Sequence, residues 1–185
     1  MKQPPVLRDG PVTLKMANDG DVPELIDYYQ RNQVFLRPFS PPWPENMFEP
    51  DIWPGRLAAQ WDEFLQGRGC KLYLFDGTRI IGSVGLSGIQ RGPFQACFLG
   101  YELDEHVQGK GLATRAVKLV THYAFVELGL HRIQANYMPA NERSGKLLRR
   151  CGFTVEGYAR DYLYINGTWA DHVLTSLTNA DLLKP

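Results

Sequence analysis

Residues 107–116 read Val-Gln-Gly-Lys-Gly-Leu-Ala-Thr-Arg-Ala, VQGKGLATRA, and the fold turns on what this stretch is. Upstream lies FLGYELDE (98–105), an extended run. Downstream lies LATRAVKLVTHYAFVEL (112–128), with apolar side chains at 112, 116, 119, 120, 123 and 124, the spacing of one helical face. The stretch is therefore a strand-to-helix junction. The first N–H groups of a helix have no internal partner, and they point outward with the positive end of the helix dipole. Glycine lets the backbone curl tightly around an anion. Such a junction suits phosphate or diphosphate. A P-loop needs GxxxxGK[ST]; no glycine lies five residues before Gly109, and Leu112 is neither Ser nor Thr, so that reading fails. A dinucleotide fingerprint would run Gly109-Gly111-Thr114, lacking its last glycine, with Glu127 as the ribose partner inside a helix, so that reading is weak. A glycine-bearing helix start with no ligand is the plain alternative.

Working outward, Val12–Met16 alternates as a strand, and Asn18-Asp19-Gly20-Asp21 starts a helix over VPELIDYYQRN, with Pro23 in its first turn. Residues 36–54 hold six prolines with Phe39, Trp43, Phe48 and Trp53 between them; this is a packed aromatic segment rather than a strand or long helix. A helix is expected over 55–66. Strands 71–75 and 79–86 flank Asp76-Gly77, and 95–103 is a third extended run. Then come the 112–128 helix, a strand over 132–137, and a short helix over 144–150 with Gly152 at its end. From Phe153 the chain is extended, and runs 158–165 and 168–177 flank Asn166-Gly167, a strong hairpin signal. The order β-α-α-β-β-β-α-β-α-β-β indicates one mixed α/β (α+β) domain over residues 1–185.

Composition narrows the function classes. The 185 residues carry 20 basic and 20 acidic side chains, so no net charge draws the chain toward nucleic acid or anionic lipid. Cys70, Cys97 and Cys151 are odd in number and widely spaced, which favours reduced thiols over a disulfide framework or metal site. No apolar run resembles a signal peptide or a membrane span, and the expected compartment is the cytoplasm.

Gln108-x-x-Gly111-x-Ala113 matches the Q/R-x-x-G-x-G/A motif of the GNAT acyltransferases, which sits between a strand and the following helix. LGLHRI (128–133), NYMPANERS (136–144), Gly152-Phe153, Glu156-Gly157 and DYLYINGTWADHVLTSLT (161–178) resemble the RimJ/RimL branch, nearer to its RimJ side. The resemblance spans nearly the whole chain and is weakest in the proline-aromatic segment. It implies a twisted, mostly antiparallel sheet splayed around acetyl-CoA with flanking helices, and acetyl-CoA as co-substrate without a metal. It implies N-acetylation of a primary amine, foremost the N-terminal alanine of a ribosomal protein, and a monomer or homodimer with no nucleic-acid or membrane partner. Its cofactor contacts fall on Gln108, Gly109, Lys110, Gly111, Ala113 and Thr114, with Leu103 before them and Asn141 on the pantetheine arm.

Acetyl transfer to an amine needs a neutral nucleophile, yet a free α-amino group has a pKa near 7.7–8.0. A base must take a proton, donors must stabilise the developing oxyanion, and an acid must meet the leaving thiolate. By the family match Glu156 is the first candidate base, and Glu102, on the strand before the glycine turn, is the rival. Ser144 is the candidate acid, or a helix cap. Tyr137 and Tyr158 are read as packing residues before proton donors, Cys97 and Cys151 as structural thiols, and His106, His122, His131 and His172 as structural. Arg143, Lys146 and Arg149 could meet a CoA phosphate, Arg149 being the one read as solvated. Phe35, Pro38, Phe39, Trp43 and Trp53 are expected to cover the acceptor, with Glu24, Asp27, Glu45 or Glu49 greeting its amine. Small-amine acetylation and a non-catalytic acyl-CoA sensor are the alternatives.

Overall fold

The computed structural model describes residues 3–10 and 12–180. In chain order the elements are β1 (Leu7–Asp9), β2 (Val12–Lys15), α1 (Val22–Arg31), α2 (Gln33–Leu36), α3 (Trp53–Leu65), β3 (Cys70–Asp76), β4 (Arg79–Gln90) and β5 (Ala96–Leu103). They continue with α4 (Leu112–Val126), β6 (Arg132–Gln134), α5 (Glu142–Arg150), β7 (Thr154–Ile165) and β8 (Thr168–Thr178). The strands form one sheet in the order β1-β2-β3-β4-β5-β6-β8-β7. Every neighbouring pair is antiparallel except β5 and β6.

The sheet feeds two cores, because successive side chains of a strand leave opposite faces. On β3, Leu72 and Leu74 join Leu14, Leu86, Leu99, Val117, Val120, Ile133 and Leu148 on the front face, beneath α4 and α5. Tyr73 and Phe75 join Leu25, Tyr28, Tyr29, Trp53, Leu57 and Ile80 on the back face, beneath α1 and α3. A capping box starts the 3-10 turn Asp19–Asp21 that leads into α1: Asn18 Oδ1 accepts from the Gly20 N–H at 2.9 Å, and Asp21 Oδ2 accepts from the Asn18 N–H at 3.0 Å. At the tip of the β7–β8 hairpin, Asn166 (φ 45°) and Gly167 (φ 85°) both turn left-handed, as the Asn-Gly pair predicts.

The parallel pair is what opens the molecule. Pairing between β5 and β6 lasts only from Ala96–Phe98 to Arg132–Gln134. Beyond it β6 ends, and the chain keeps only its β8 side, Ala135 and Tyr137 donating to the carbonyls of Thr175 and Val173. The second half of β5 runs on to Leu103 with β4 on one side only. The sheet therefore splits into a V.

The expected strand over 132–137 is thus cut to three residues, because past Gln134 the chain loses β5 and keeps only β8. The helix expected from Ser144 begins at Glu142, with Asn141 as its cap. The α3 helix begins at Trp53 rather than Gly55, taking Pro54 into its first turn where a missing N–H does no harm. No helix among the described residues is long and apolar enough to cross a membrane.

Candidate active site

The split in the sheet is a cleft of about 1860 Å³ that reaches both faces. On the front side its wall is the glycine turn and the first turns of α4 and α5. On the back side it is α2, the segment after it, and β3–β5.

Gly109 (φ +78°) and Gly111 (φ +74°) both take the left-handed conformation that the turn requires. A Cβ built on either would meet nothing within 4 Å, so the space above these amides is open. Gly111 is the N-cap of α4 and brings no capping side chain, so the helix presents its first amides uncapped. Gly109, Gly111, Leu112, Ala113 and Thr114 line the cleft; Lys110 is exposed and outside its lining. Gln108 turns inward: its Nε2 donates to the carbonyls of Leu103 (3.0 Å) and Asp104 (3.2 Å), which folds the turn onto the end of β5. Arg115, Lys146 and Arg150 stand along this end of the cleft. An uncapped helix start, open glycines and three cations fit a diphosphate group well.

Asn141 and Ser144 divide the tasks that the sequence left shared. Asn141 Oδ1 accepts from the Ser144 N–H at 3.1 Å, so Asn141 is the cap. The Ser144 hydroxyl is left free of that work and meets the Tyr101 hydroxyl at 2.7 Å, inside the cleft. Burial pushes the Tyr101 phenol up to about 12, so it keeps its proton. Gly145 is required by close approach: a Cβ there would stand 2.7 Å from the Tyr137 ring. Tyr137 therefore supports α5 from beneath and does not line the cleft, and Tyr158 is exposed, donating to Asp171 at 2.6 Å.

The two candidate carboxylates stand apart. Glu102 lines the cleft from the back face, its side chain 18% exposed. Its Oε1 accepts from Tyr29 Oη at 2.8 Å and from Ser83 Oγ at 2.9 Å. Glu156 lies on β7, the edge strand, and does not line the cleft. Its side chain is 41% exposed and is held by Arg132 and by Ser176 Oγ, the latter at 2.7 Å. Those two hydrogen bonds, Arg132 first, lower its pKa. In the strand order β6 and β8 stand between β7 and the split, so Glu156 lies away from it although it follows α5 closely in sequence.

Among the described residues, Cys70 is the thiol in the cleft lining, and no histidine lines it. Burial raises Cys97 to about 12 and also raises Cys151, so neither is a ready nucleophile. His172 is buried with Nδ1 2.9 Å from the Ala170 carbonyl, and His106, His122 and His131 do not line the cleft. Among the described residues no group of three His, Cys, Asp or Glu side chains is placed to hold a metal ion.

At the acceptor end the aromatic cover is only partly as expected. Phe35 and Phe39 line the cleft with Leu36, Ser40 and Pro41, and Arg143 reaches over the Phe35 ring at 5.8 Å. Trp53 is 1% exposed and belongs to the back core, Trp43 packs on Tyr29, and Pro38 is outside the lining. The carboxylates in the lining are Glu63, Glu102, Glu105 and Glu142 rather than Glu24, Asp27, Glu45 or Glu49. Glu24 and Asp27 are taken by Arg31. On α5, Arg149 lies outside the lining and Arg150 within it. Sequence reasoning missed Tyr29 and Tyr101. Tyr101 directly precedes Glu102, and their opposite faces both open into a cleft only because the sheet splits there.

The chain is similar to known proteins along most of its length. Residues 12–154 match the family described as an acetyltransferase (GNAT) domain. The Escherichia coli K12 protein named [Ribosomal protein uS5]-alanine N-acetyltransferase is 44% identical over 172 residues, covering 92% of this chain and 89% of its own. The crystal structure of ribosomal-protein-S5-alanine acetyltransferase from Vibrio fischeri matches with a TM-score of 0.91 at 37% identity, over 98% of this chain and 100% of that one. Mycobacterium smegmatis RimJ, solved with CoA-disulfide, matches with a TM-score of 0.89 at 25% identity, over 98% and 89%. The chain belongs to the GNAT family of acetyltransferases, enzymes that draw their acetyl group from acetyl-CoA.

Proposed function

We propose that this protein acetylates the α-amino group of an N-terminal alanine on a ribosomal protein, by direct attack of the amine in a ternary complex, in the cytoplasm. One observation supports the reading above the others: a cleft through the split sheet carries open helix amides on its front side and a carboxylate with one oxygen already engaged on its back side. The names of the relatives point to the same acceptor. The whole chain serves as one catalytic domain.

In this reading the amides of Gly109, Lys110, Gly111, Ala113 and Thr114 hold the diphosphate of acetyl-CoA. Gln108 braces the turn, and Leu103 and Asn141 border the pantetheine arm. Glu102, not Glu156, accepts the proton that the amine sheds as its nitrogen bonds to the acetyl carbon. Ser144 donates a proton to the sulfur as the carbon–sulfur bond breaks, and Tyr101 keeps the serine hydroxyl oriented. Holding amine and thioester together supplies much of the rate, since proximity alone is worth roughly 7–11 kcal/mol.

The test is acetyl-CoA with a panel of amines: peptides beginning with alanine, polyamines and aminoglycosides. Thiol release is followed and the modified nitrogen located by mass spectrometry. Release with the alanine peptides, modified at their α-nitrogen, is expected. Release confined to polyamines or aminoglycosides would make this a small-amine acetyltransferase. Tight binding of acetyl-CoA without any release would make it a sensor.

A further inference from the structure

Two donors from different elements converge on one oxygen of Glu102. Tyr29 Oη on α1 and Ser83 Oγ on β4 both donate to Oε1, at 2.8 and 2.9 Å. Lys71 Nζ on β3 lies 4.0 Å from the same atom. Among the described residues, every hydrogen bond to this carboxylate ends on Oε1. Neither donor has room to swing away. Ser83 is 0% exposed, and Tyr29 is 7% exposed. The Tyr29 ring is stacked on Trp53 at 5.6 Å and met edge-on by Trp43 at 5.3 Å and Tyr28 at 5.0 Å. Trp43 and Trp53 come from the proline-aromatic segment, so the strap that walls the acceptor end also clamps the phenol that grips the carboxylate.

We propose that Tyr29 and Ser83 are positioning residues for acetyl transfer: together they hold Glu102 Oε1 and leave Oε2 as the oxygen presented to the acceptor amine, with Trp43 and Trp53 fixing the Tyr29 ring. The proposal rests on Glu102 being the base. Burial, and next the Glu102 charge, hold the Tyr29 phenol well above its ordinary range, so it stays a donor and does not itself relay a proton. The other titratable groups facing Glu102 are Lys71 and Tyr73 from β3 and Tyr28 from α1. Burial keeps both phenols neutral, Tyr73 at about 12, and Lys71 stays 4.0 Å from Oε1. Arg31 and Asp104 pair with each other beyond Tyr28.

Two donors fix which oxygen of Glu102 faces the cleft, so removing one costs turnover without removing the base. The experiment is a double-mutant cycle on kcat, with KM for acetyl-CoA measured alongside. Tyr29→Phe and Ser83→Ala are each expected to lower kcat about tenfold, the size of one hydrogen bond to a charge. KM for acetyl-CoA should remain within about twofold, because both residues face the back of the sheet. In a Glu102→Gln background neither change should lower the remaining rate further, because both act through that carboxylate. Thermal unfolding checks each variant, and Ser83→Ala, a one-atom deletion, carries the test should the Tyr29 change disturb the core. If Glu102→Gln lowers kcat while Tyr29→Phe and Ser83→Ala leave it unchanged, or lower it as much without the carboxylate as with it, the positioning proposal is overturned and the base stands. If Glu102→Gln keeps the wild-type rate, the base and the proposal fall together.

Discussion

At Glu102 the chemistry depends on what surrounds a single side chain, and Glu156 offers the contrast. Both are strand glutamates with two hydrogen-bond donors each. One sits in the cleft at 18% exposure; the other is on an edge strand at 41%, with Arg132 already neutralising it. General base catalysis contributes about 10²–10⁴-fold. Glu102→Gln should therefore lower kcat by about 100-fold or more across pH 6 to 9. Glu156→Gln should leave kcat within about a factor of two, since an exposed pair contributes at most about 1 kcal/mol. Steady-state assays of the two variants side by side check this, and the reverse ranking would restore Glu156. The sequence alone did not separate them: Glu156 follows the α5 end closely, but the strand order β6-β8-β7 carries it away. Tyr29 was likewise invisible as a site residue, because its apolar helical spacing reads simply as core.

At the scale of elements, α5 shows how a short helix is held for chemistry. Its nine residues are too few to persist alone, so cap and packing decide its position. Asn141 caps it, Leu147 and Leu148 anchor it, and Gly145 lets it lie against the Tyr137 ring. Replacing Asn141 with Ala should destabilise the protein by about 1 kcal/mol. It should also lower kcat, because the Ser144 N–H loses its acceptor and the hydroxyl loses its register with Tyr101. Asn141→Asp should restore both, since aspartate caps equally well. Denaturant melts and rates on the pair check this; a loss of stability with kcat unchanged would detach the cap from the chemistry. Much at this scale was legible beforehand. The 3.6-residue spacing marked α4, Asp76-Gly77 and Asn166-Gly167 marked two hairpins, and the glycine turn marked its own start. What was not legible was how far β6 would follow β5. Past Gln134 the chain keeps its β8 partner, Ala135 and Tyr137 still bonding Thr175 and Val173, and loses β5, a choice made by contacts distant in sequence.

Across the whole molecule, the acceptor half is tied to the glycine turn by one buried cluster. Arg31, at the end of α1, donates through Nε to Asp104 Oδ2 at 2.7 Å and also bonds the Ile80 carbonyl. Asp104 Oδ1 accepts from the His106 N–H at 2.9 Å, and Asn32 Oδ1 accepts from the Glu105 N–H at 2.9 Å. Burial acts to raise the Asp104 pKa, but Arg31, the His106 N–H and Asn32 outweigh it, and the net shift is downward. A lowered folded pKa means that the stabilisation is present above the unfolded value near 3.9 and is lost as pH falls through the folded one. Asp104→Asn should destabilise the protein by about 3 kcal/mol at neutral pH, the low end for a broken buried pair because Asp27 and Glu24 still meet Arg31. It should also flatten the decline of melting temperature below pH 4. Melting curves from pH 2 to 7 on both proteins check this, and parallel curves would show that the pair does not carry the linkage.

The most direct measurement is a crystal structure of the protein with CoA and an alanine-initiated peptide. Expected is the diphosphate on the amides of residues 109–114, the sulfur beside Ser144, and the peptide nitrogen entering from the back of the split within hydrogen-bond reach of Glu102 Oε2. A diphosphate bound away from that turn, or a peptide nitrogen at Glu156 instead, would contradict it.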